Sequence, residues 1–123
     1  MIFTYGETSI TGLTVTGGDG EKAGGIYAQG PVTITDSVLT GNTGEFGAAL
    51  MVDDEATIID STISDSTDSW GAVYVNIDAM LSVSGSTFTG NDMRRGAIFG
   101  NQGADLTITC LLYTSPSPRD SFR

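Results

Sequence analysis

Apolar and hydroxylated residues alternate in short stretches along this chain, such as Val32-Thr33-Ile34-Thr35 and Leu81-Ser82-Val83-Ser84. A period of two places successive side chains on opposite faces, which is typical of a half-buried β-strand. β-branched residues dominate these stretches, and Gly, Asn and Asp separate them. No stretch carries the apolar stripe of a helix. The pattern predicts an all-β protein built from short strands and turns.

The alternating stretches recur at a nearly constant step along the chain and align three columns of mainly apolar side chains. The columns are Ile10, Ile34, Ile58, Val83 and Ile108; Val15, Leu39, Ile63 and Phe88; and Phe3, Tyr27, Leu50, Tyr74 and Phe99. A single unit cannot bury its own apolar side, so we expect the units to stack at the usual strand spacing of about 4.8 Å. The sequence predicts a parallel β-helix (a solenoid) of about four and a half rungs over residues 1–109. The general crossover preference makes it right-handed.

The last fourteen residues, 110–123, break this pattern with a Pro-Ser-Pro-Arg segment. Read backwards into codons, residues 110–120 resemble a sequencing adapter translated in one frame. We therefore interpret 110–123 as a non-native tail from adapter read-through, and expect it to be disordered or to pack without specificity. Residues 1–109 are then a β-helix repeat fragment whose natural partners include the flanking rungs of its parent protein.

The charge of the chain excludes two classes of partner. Fifteen acidic residues against five basic ones give a net charge of −10. This excludes nucleic acid as a partner, and also electrostatic docking on an anionic membrane.

The absence of His excludes His-based triads and His-ligated metal sites. No apolar run approaches the ~20 residues of a spanning helix, so we predict no direct membrane insertion of this segment.

Two short signatures carry a family resemblance. Phe88-Thr89-Gly90-Asn91 matches a Phe-x-x-Asn signature, and Gly96-Ala97-Ile98 matches most of a Gly-Gly-Ala-Ile signature. With these signatures the units resemble the pectin-lyase-like right-handed parallel β-helices, and most closely the repeats of polymorphic outer-membrane proteins. The resemblance implies a structural or binding module of a secreted or cell-surface, adhesin-like protein, located outside the cell or at its outer membrane.

An enzyme fragment is the alternative, because the same superfamily includes polysaccharide lyases and glycoside hydrolases. A lyase of this kind uses Arg or Lys as base beside a calcium site, and residues 1–109 offer only Lys22, Arg94 and Arg95. The hydrolases use Gly-His-Gly and Arg-Ile-Lys segments, which this sequence lacks. Fold does not confer function without a site. The sequence therefore favours a module with no catalytic residues. A fragment of a lyase or hydrolase stays the alternative.

Carboxylates cluster at two predicted corners. They are Asp19, Glu21, Glu45, Asp65, Asp68 and Asp92 after the second strand, and Asp53, Asp54, Glu55, Asp78 and Asp105 after the third. Stacked carboxylates could ligate Ca²⁺, although the dense Gly-Gly-x-Gly-x-Asp spacing of calcium-binding β-rolls is missing. Asp36 and Asp60 could also lie one strand spacing apart on an outer face. We favour solvated acidic turns and no cofactor, with Ca²⁺ as the open alternative.

The aromatic column is the candidate binding surface for a carbohydrate or a surface protein. If Ile26, Ala49, Val73 and Ile98 point inward, their neighbours Tyr27, Leu50, Tyr74 and Phe99 point outward. An exposed aromatic ladder could stack on sugar rings or dock a protein. The alternative places the aromatic rings inside and the smaller residues outside.

A turn column of Asn42, Ser66 and Asn91 is interpreted as structural. Buried amide side chains stacked at a turn can bond the backbone of neighbouring rungs. We therefore expect these residues to hold turns together and not to bind a ligand.

Overall fold

The computed structural model describes residues 2–67, 70–91 and 98–109, together with the backbone of residues 112–114. Within these ranges the chain forms strands and turns and no helix. The chain passes through three sheets in turn, here named A, B and C, and then returns to sheet A one rung further along. Every described strand pair is parallel.

The strands are numbered along the chain. Sheet A consists of β1 (Ile2–Thr4), β5 (Ile26–Ala28), β9 (Gly47–Val52), β12 (Gly71–Val75) and β15 (Ile98–Gly100). Sheet B consists of β2 (Thr8–Thr11), β6 (Val32–Thr35), β10 (Glu55–Ile59), β13 (Met80–Ser84) and β16 (Asp105–Thr109). Sheet C consists of β3 (Thr14–Thr16), β7 (Val38–Thr40), β11 (Thr62–Ser64), β14 (Thr87–Thr89) and β17 (Leu112–Thr114). A two-stranded pair joins β4 (Asp19–Gly20) to β8 (Thr43–Gly44).

The predicted stacking of rungs is confirmed in sheet B. Ile10, Ile34, Ile58, Val83 and Ile108 are successive Cα partners across its five strands. Parallel strands need a crossover between them, and here the other two sheets of each rung supply it. The chain is therefore an all-β parallel solenoid of about four turns.

Apolar columns from the three sheets fill the interior, as the repeat pattern predicts. Six residues that the first two columns place in the core are each at most 1 % exposed: Ile34, Leu39, Ile58, Ile63, Val83 and Phe88. They belong to one continuous cluster of buried side chains. Because each unit buries its apolar side only against the next unit, stacking supplies the core.

The predicted alignment of Leu50 with Tyr27 and Tyr74 is wrong by one residue. Leu50 is the Cα partner of Ile26 and is fully buried in the core. Met51 instead pairs with both tyrosines. Since successive strand residues point to opposite faces, a slip of one residue moves a side chain from one face of the sheet to the other.

A β-bulge in β9 causes this shift. Gly47 pairs with Gly71, but Leu50 pairs with Val73, so β9 holds one residue more than β12 between these pairs. In a β-bulge the strand pairs on both sides of the insertion stay paired, while two residues of the bulged strand lie opposite one residue of its partner. An alignment of the sequence at a fixed repeat length cannot reveal the bulge. Either Ala48 or Ala49 can be matched to the one alanine that follows glycine in the next unit.

A ladder of buried serines joins the turns between sheets B and C. The Ser61 Oγ accepts a hydrogen bond from the Ser37 N–H at 3.1 Å and donates one to the Ile59 carbonyl at 2.9 Å. Ser86 repeats this arrangement, with its Oγ accepting from the Ser61 N–H at 3.2 Å. The ladder satisfies backbone donors that the turns leave outside the strand pairing. Sequence reasoning missed these serines, although they recur at the same step as the apolar columns, which is a detectable signal.

Backbone pairing extends past residue 109. The described backbone of Leu112–Thr114 pairs in parallel with β14, so that Leu112 lies opposite Thr87 and Thr114 opposite Thr89. These three residues therefore pair with the solenoid through their backbone, and the interpretation of 110–123 as a non-native tail stays a prediction. Their peptide groups supply the donors and acceptors of the pairing, which depends little on the side chains. Residues 110, 111 and 115–123 lie outside the described residues.

Candidate functional site

A second cluster of side chains lies on the face of sheet A that points away from the core. Tyr27, Met51 and Tyr74 form its centre and are 7 %, 5 % and 6 % exposed. The outward direction of the tyrosines agrees with the alternation of the strand, but their predicted exposure is wrong. Phe46 and Trp70 pack over them and keep them from solvent.

Close ring contacts hold this aromatic cluster together. The Tyr74 ring stacks on the Phe99 ring with a centroid distance of 5.3 Å and an interplanar angle of 20°. Phe46 lies 5.3 Å from Tyr74, and Trp70 meets Phe99 edge to face at 5.3 Å. Offset and edge-to-face contacts at these distances are favourable. The cluster therefore acts as a small second core on the outside of sheet A.

Phe46 and Trp70 were not found by sequence reasoning. Both precede a strand of sheet A by one residue, since β9 begins at Gly47 and β12 at Gly71. They lie in turns outside the regular strands. The equivalent of Phe46 in the rung before is the charged Lys22, because Ala23 forms the bridge to Gly47. The sequence does contain one detectable sign of this covering pair, which is that two aromatic residues stand one repeat apart.

Polar side chains from the following rungs bind the hydroxyl groups of the two tyrosines. The Tyr27 hydroxyl donates to Asp53 Oδ2 at 2.8 Å, and the Asn76 amide donates to Asp53 Oδ1 at 3.1 Å. The Asn101 amide donates to the Tyr74 hydroxyl at 2.9 Å. Asp53, a member of one predicted acidic corner, thus has a structural role at the edge of sheet A.

Burial raises the pKa of the Tyr27 hydroxyl, and its hydrogen bond to Asp53 raises it further. Both causes act against the phenolate, because ionisation would place a negative charge in a poorly solvated site beside a carboxylate. Tyr27 therefore acts as a hydrogen-bond donor throughout the physiological pH range.

An open groove with a volume of about 470 Å³ lies at the first-rung end of the aromatic cluster. Its lining residues are Phe3, Glu21, Lys22, Tyr27 and Gln29. Phe3 is 49 % exposed and its ring centroid lies 5.7 Å from that of Tyr27. The Lys22 ammonium lies over the Tyr27 ring, 5.9 Å from its centroid.

The chemistry of this groove suits a sugar. Aromatic rings provide an apolar surface for the C–H faces of a pyranose, and a few placed polar groups provide orientation and specificity. Gln29 supplies both a donor and an acceptor, Glu21 supplies acceptors and Lys22 supplies donors. Of the predicted surface column, only Phe3 and Tyr27 contribute to the groove, whereas Tyr74 and Phe99 belong to the packed cluster.

The asparagines of the turn column bind the backbone of the rung before them. The Asn42 side chain accepts from the Gly18 N–H at 2.9 Å and donates to the Val15 carbonyl at 3.1 Å. Asn91 repeats this geometry, with Oδ1 accepting from the Ser66 N–H at 3.1 Å. Both asparagines are fully buried. Their hydrogen bonds are used within the fold, which is a structural role.

Ser66 occupies the same column but has a shorter side chain. It is fully buried, and its Oγ has no hydrogen-bond partner within the described structure. Its backbone N–H is satisfied by Asn91. This turn therefore lacks the cross-rung bond that an amide side chain makes in the rungs on either side.

The described carboxylates do not converge into a cation site. In residues 2–67, 70–91 and 98–109, no group of three His, Cys, Asp or Glu side chains is placed to hold a metal ion. Asp36 and Asp60 adopt left-handed backbone conformations, with φ of 50° and 49°, at equivalent turns between sheets B and C. Asp68, Asp92, Arg94 and Arg95 lie outside the described residues.

No model of a known protein family, no curated protein and no solved structure matches this chain. Among the described residues, no helix is long and apolar enough to cross a membrane. The functional assignment therefore rests on the solenoid geometry and on the chemistry of the groove.

Proposed function

We propose that the chain is a carbohydrate-binding repeat module of a secreted or cell-surface, adhesin-like protein, related to the pectin-lyase-like β-helices. The Phe-x-x-Asn and Gly-Gly-Ala-Ile signatures support the relationship. The acidic composition and the lateral, solvent-facing sheets of a solenoid support a role outside the cell or at its outer membrane.

The groove beside Tyr27 is the observation that carries the binding proposal. Phe3 is a large aromatic side chain that is half exposed at the edge of an aromatic cluster, and three polar residues surround it. Exposed aromatic side chains next to convergent polar groups are the features of a ligand site. The Lys22 ammonium, held over the Tyr27 ring, adds a donor at the entrance of the groove.

Binding to an array of neutral and acidic oligosaccharides tests this proposal, followed by titration of each glycan that is retained. We expect Phe3→Ala and Lys22→Ala each to weaken binding at least tenfold, because they remove the stacking ring and the charged donor. Leu13→Ala is the matched control, since Leu13 is 47 % exposed and lies outside the groove. It should bind like the parent chain. Retention of no glycan, or equal effects of all three substitutions, contradicts the proposal.

The proposed location is tested separately in the source cells. An antibody against the chain should label intact cells or detect the chain in the culture medium, and treatment of intact cells with a protease should remove the surface signal. A signal that appears only after the cells are permeabilised contradicts the extracellular location without bearing on the groove.

A further inference from the structure

Sheet B presents two continuous rows of hydroxylated residues on its outer face. Since Ile10, Ile34, Ile58 and Val83 point into the core, their neighbours in each strand point outward. The first row is Ser9, Thr33, Thr57, Ser82 and Thr107, and the second is Thr11, Thr35, Ile59, Ser84 and Thr109. Nine of these ten side chains carry a hydroxyl group.

The two rows form a regular two-dimensional array. All four strand pairs of sheet B keep their register without a shift, in contrast to the bulged pairing in sheet A. Neighbouring residues within a row are separated by the strand spacing of about 4.8 Å, and the two rows are separated by two residues of strand, about 6.7 Å. No charged side chain stands within either row. Glu55, Met80 and Asp105 precede the first row on the same face and form an exposed rim at the start of three strands.

The hydroxyl groups of this array are available to an external partner. Within the described structure, none of the nine hydroxyls makes a hydrogen bond to another protein group. Hydroxyls elsewhere are used internally: Ser64 donates to Thr40 in sheet C at 2.8 Å, and Ser61 takes part in the serine ladder. A single exposed threonine needs no explanation, but nine unpaired hydroxyls in a fixed lattice can bind a partner with a matching repeat.

We propose that the outer face of sheet B binds ice. The partner of a two-dimensional array must itself be periodic in two directions, and the oxygen lattice of ice repeats at distances close to both spacings of the rows. The two rows are uncharged, and threonine adds a methyl group beside six of the nine hydroxyls, so ordered water is held by hydrogen bonds and by apolar contact. A crystalline polysaccharide is less suited to this face, because the rows contain no aromatic ring on which a sugar could stack.

Thermal hysteresis and the shape of growing ice crystals, measured on the full chain, test this proposal. The parent chain is expected to separate the freezing and melting temperatures and to facet the crystals. Thr57→Lys, at the centre of the first row, should abolish both effects, because a long charged side chain interrupts that row. Thr62→Lys is the matched control: Thr62 is also a half-buried strand threonine, but it lies in sheet C, and its substitution should leave both effects intact.

Ile59→Thr gives a second, independent test. Ile59 is the one residue of the array without a hydroxyl, so this substitution completes the second row and should increase the hysteresis. Absence of any effect of the parent chain on ice overturns the proposal, and so does a hysteresis that Thr57→Lys leaves unchanged. Sedimentation of the chain with crystalline cellulose or chitin, sensitive to Thr57→Lys and without an effect on ice, would also overturn it and assign the face to a crystalline polysaccharide. Circular dichroism of each variant separates these outcomes from a loss of the fold.

Discussion

The side-chain amide of Asn91 donates a hydrogen bond to the carbonyl oxygen of Ile63 at 3.1 Å, across 28 residues of chain. The same side chain accepts from the backbone N–H of Ser66. One buried residue thus satisfies a donor and an acceptor of the rung before it, at a turn where strand pairing is interrupted. The turns of this solenoid are therefore joined by buried side chains in addition to backbone hydrogen bonds between rungs.

Loss of the Asn91 side chain should therefore destabilise the protein. Asn91→Ala leaves the Ile63 carbonyl and the Ser66 N–H without partners inside the fold, at a cost of about 2 kcal/mol or more. Asn101→Ala is the control, because Asn101 is only partly buried and water can replace its contact with Tyr74. We expect it to cost less than about 1 kcal/mol. Urea unfolding of both variants measures the difference, and equal losses would contradict a special role of the turn column.

Ser66→Asn should stabilise the protein. Ser66 lies between Asn42 and Asn91 in the turn column, and its buried hydroxyl has no partner within the described structure. An asparagine there can repeat the geometry of its neighbours and donate to the Leu39 carbonyl of the rung before. We expect a gain of about 1 kcal/mol in the free energy of unfolding. Ser66→Ala, which adds no donor, should not reproduce the gain. A less stable Ser66→Asn variant would show that the turn is shaped for the smaller side chain.

The sequence predicts most of the fold because the repeat is nearly constant. In sheets B and C, residues one repeat apart in the sequence are Cα partners in neighbouring rungs. The alignment of Ile34, Ile58 and Val83 can therefore be predicted from the sequence alone. Sheet A departs from this rule at the β9 bulge. There Met51 and Tyr74 pair although they are closer along the chain than one full repeat, and the alignment placed Leu50 on the wrong face.

The candidate site was harder to predict, because it depends on residues outside the regular strands. The alternation of strand residues correctly predicts that Tyr27 and Ile26 point to opposite faces of sheet A. It cannot show which residues cover a side chain that points outward. Phe46 and Trp70, in irregular turns, bury the tyrosines that were expected to be exposed. The groove likewise depends on Lys22, which lies in the turn before β5 and outside the apolar columns.

The core register is tested by placing the same charge at two adjacent positions. Ile58 is fully buried and Ile59 lies on the outer face of sheet B. Ile58→Asp buries an uncompensated carboxylate and should cost more than about 4 kcal/mol, enough to unfold a domain of this size. Ile59→Asp should cost only about 1 kcal/mol, the range for a partly exposed strand position. Thermal unfolding followed by circular dichroism compares the two. Equal stability of the two variants would mean that the strand faces the other way.

The alkaline limit of stability is expected to depend on Tyr27. Its pKa is raised in the folded state, so the stability that it contributes is fully present below the ordinary tyrosine pKa of about 10 and is lost as the pH rises through the folded-state pKa. The difference in ultraviolet absorbance between the parent chain and Tyr27→Phe, recorded from pH 8 to 12.5, isolates this one phenol. We expect its midpoint above 10. A midpoint at or below 10 would contradict the buried hydrogen bond to Asp53.

The rungs stack in parallel, and each residue of sheet B lies above its equivalent in the rung before. Thiol cross-linking with dibromobimane, which fluoresces once it has joined two thiols, tests this most directly in a Cys110→Ser background. Cysteine pairs replacing Thr33 and Thr57, or Thr57 and Ser82, lie one rung apart at about 4.8 Å and should both cross-link efficiently. The pair replacing Thr33 and Ser82 lies two rungs apart, at about twice that distance, and should not react. Cross-linking of the two-rung pair, or failure of either one-rung pair, would contradict the solenoid.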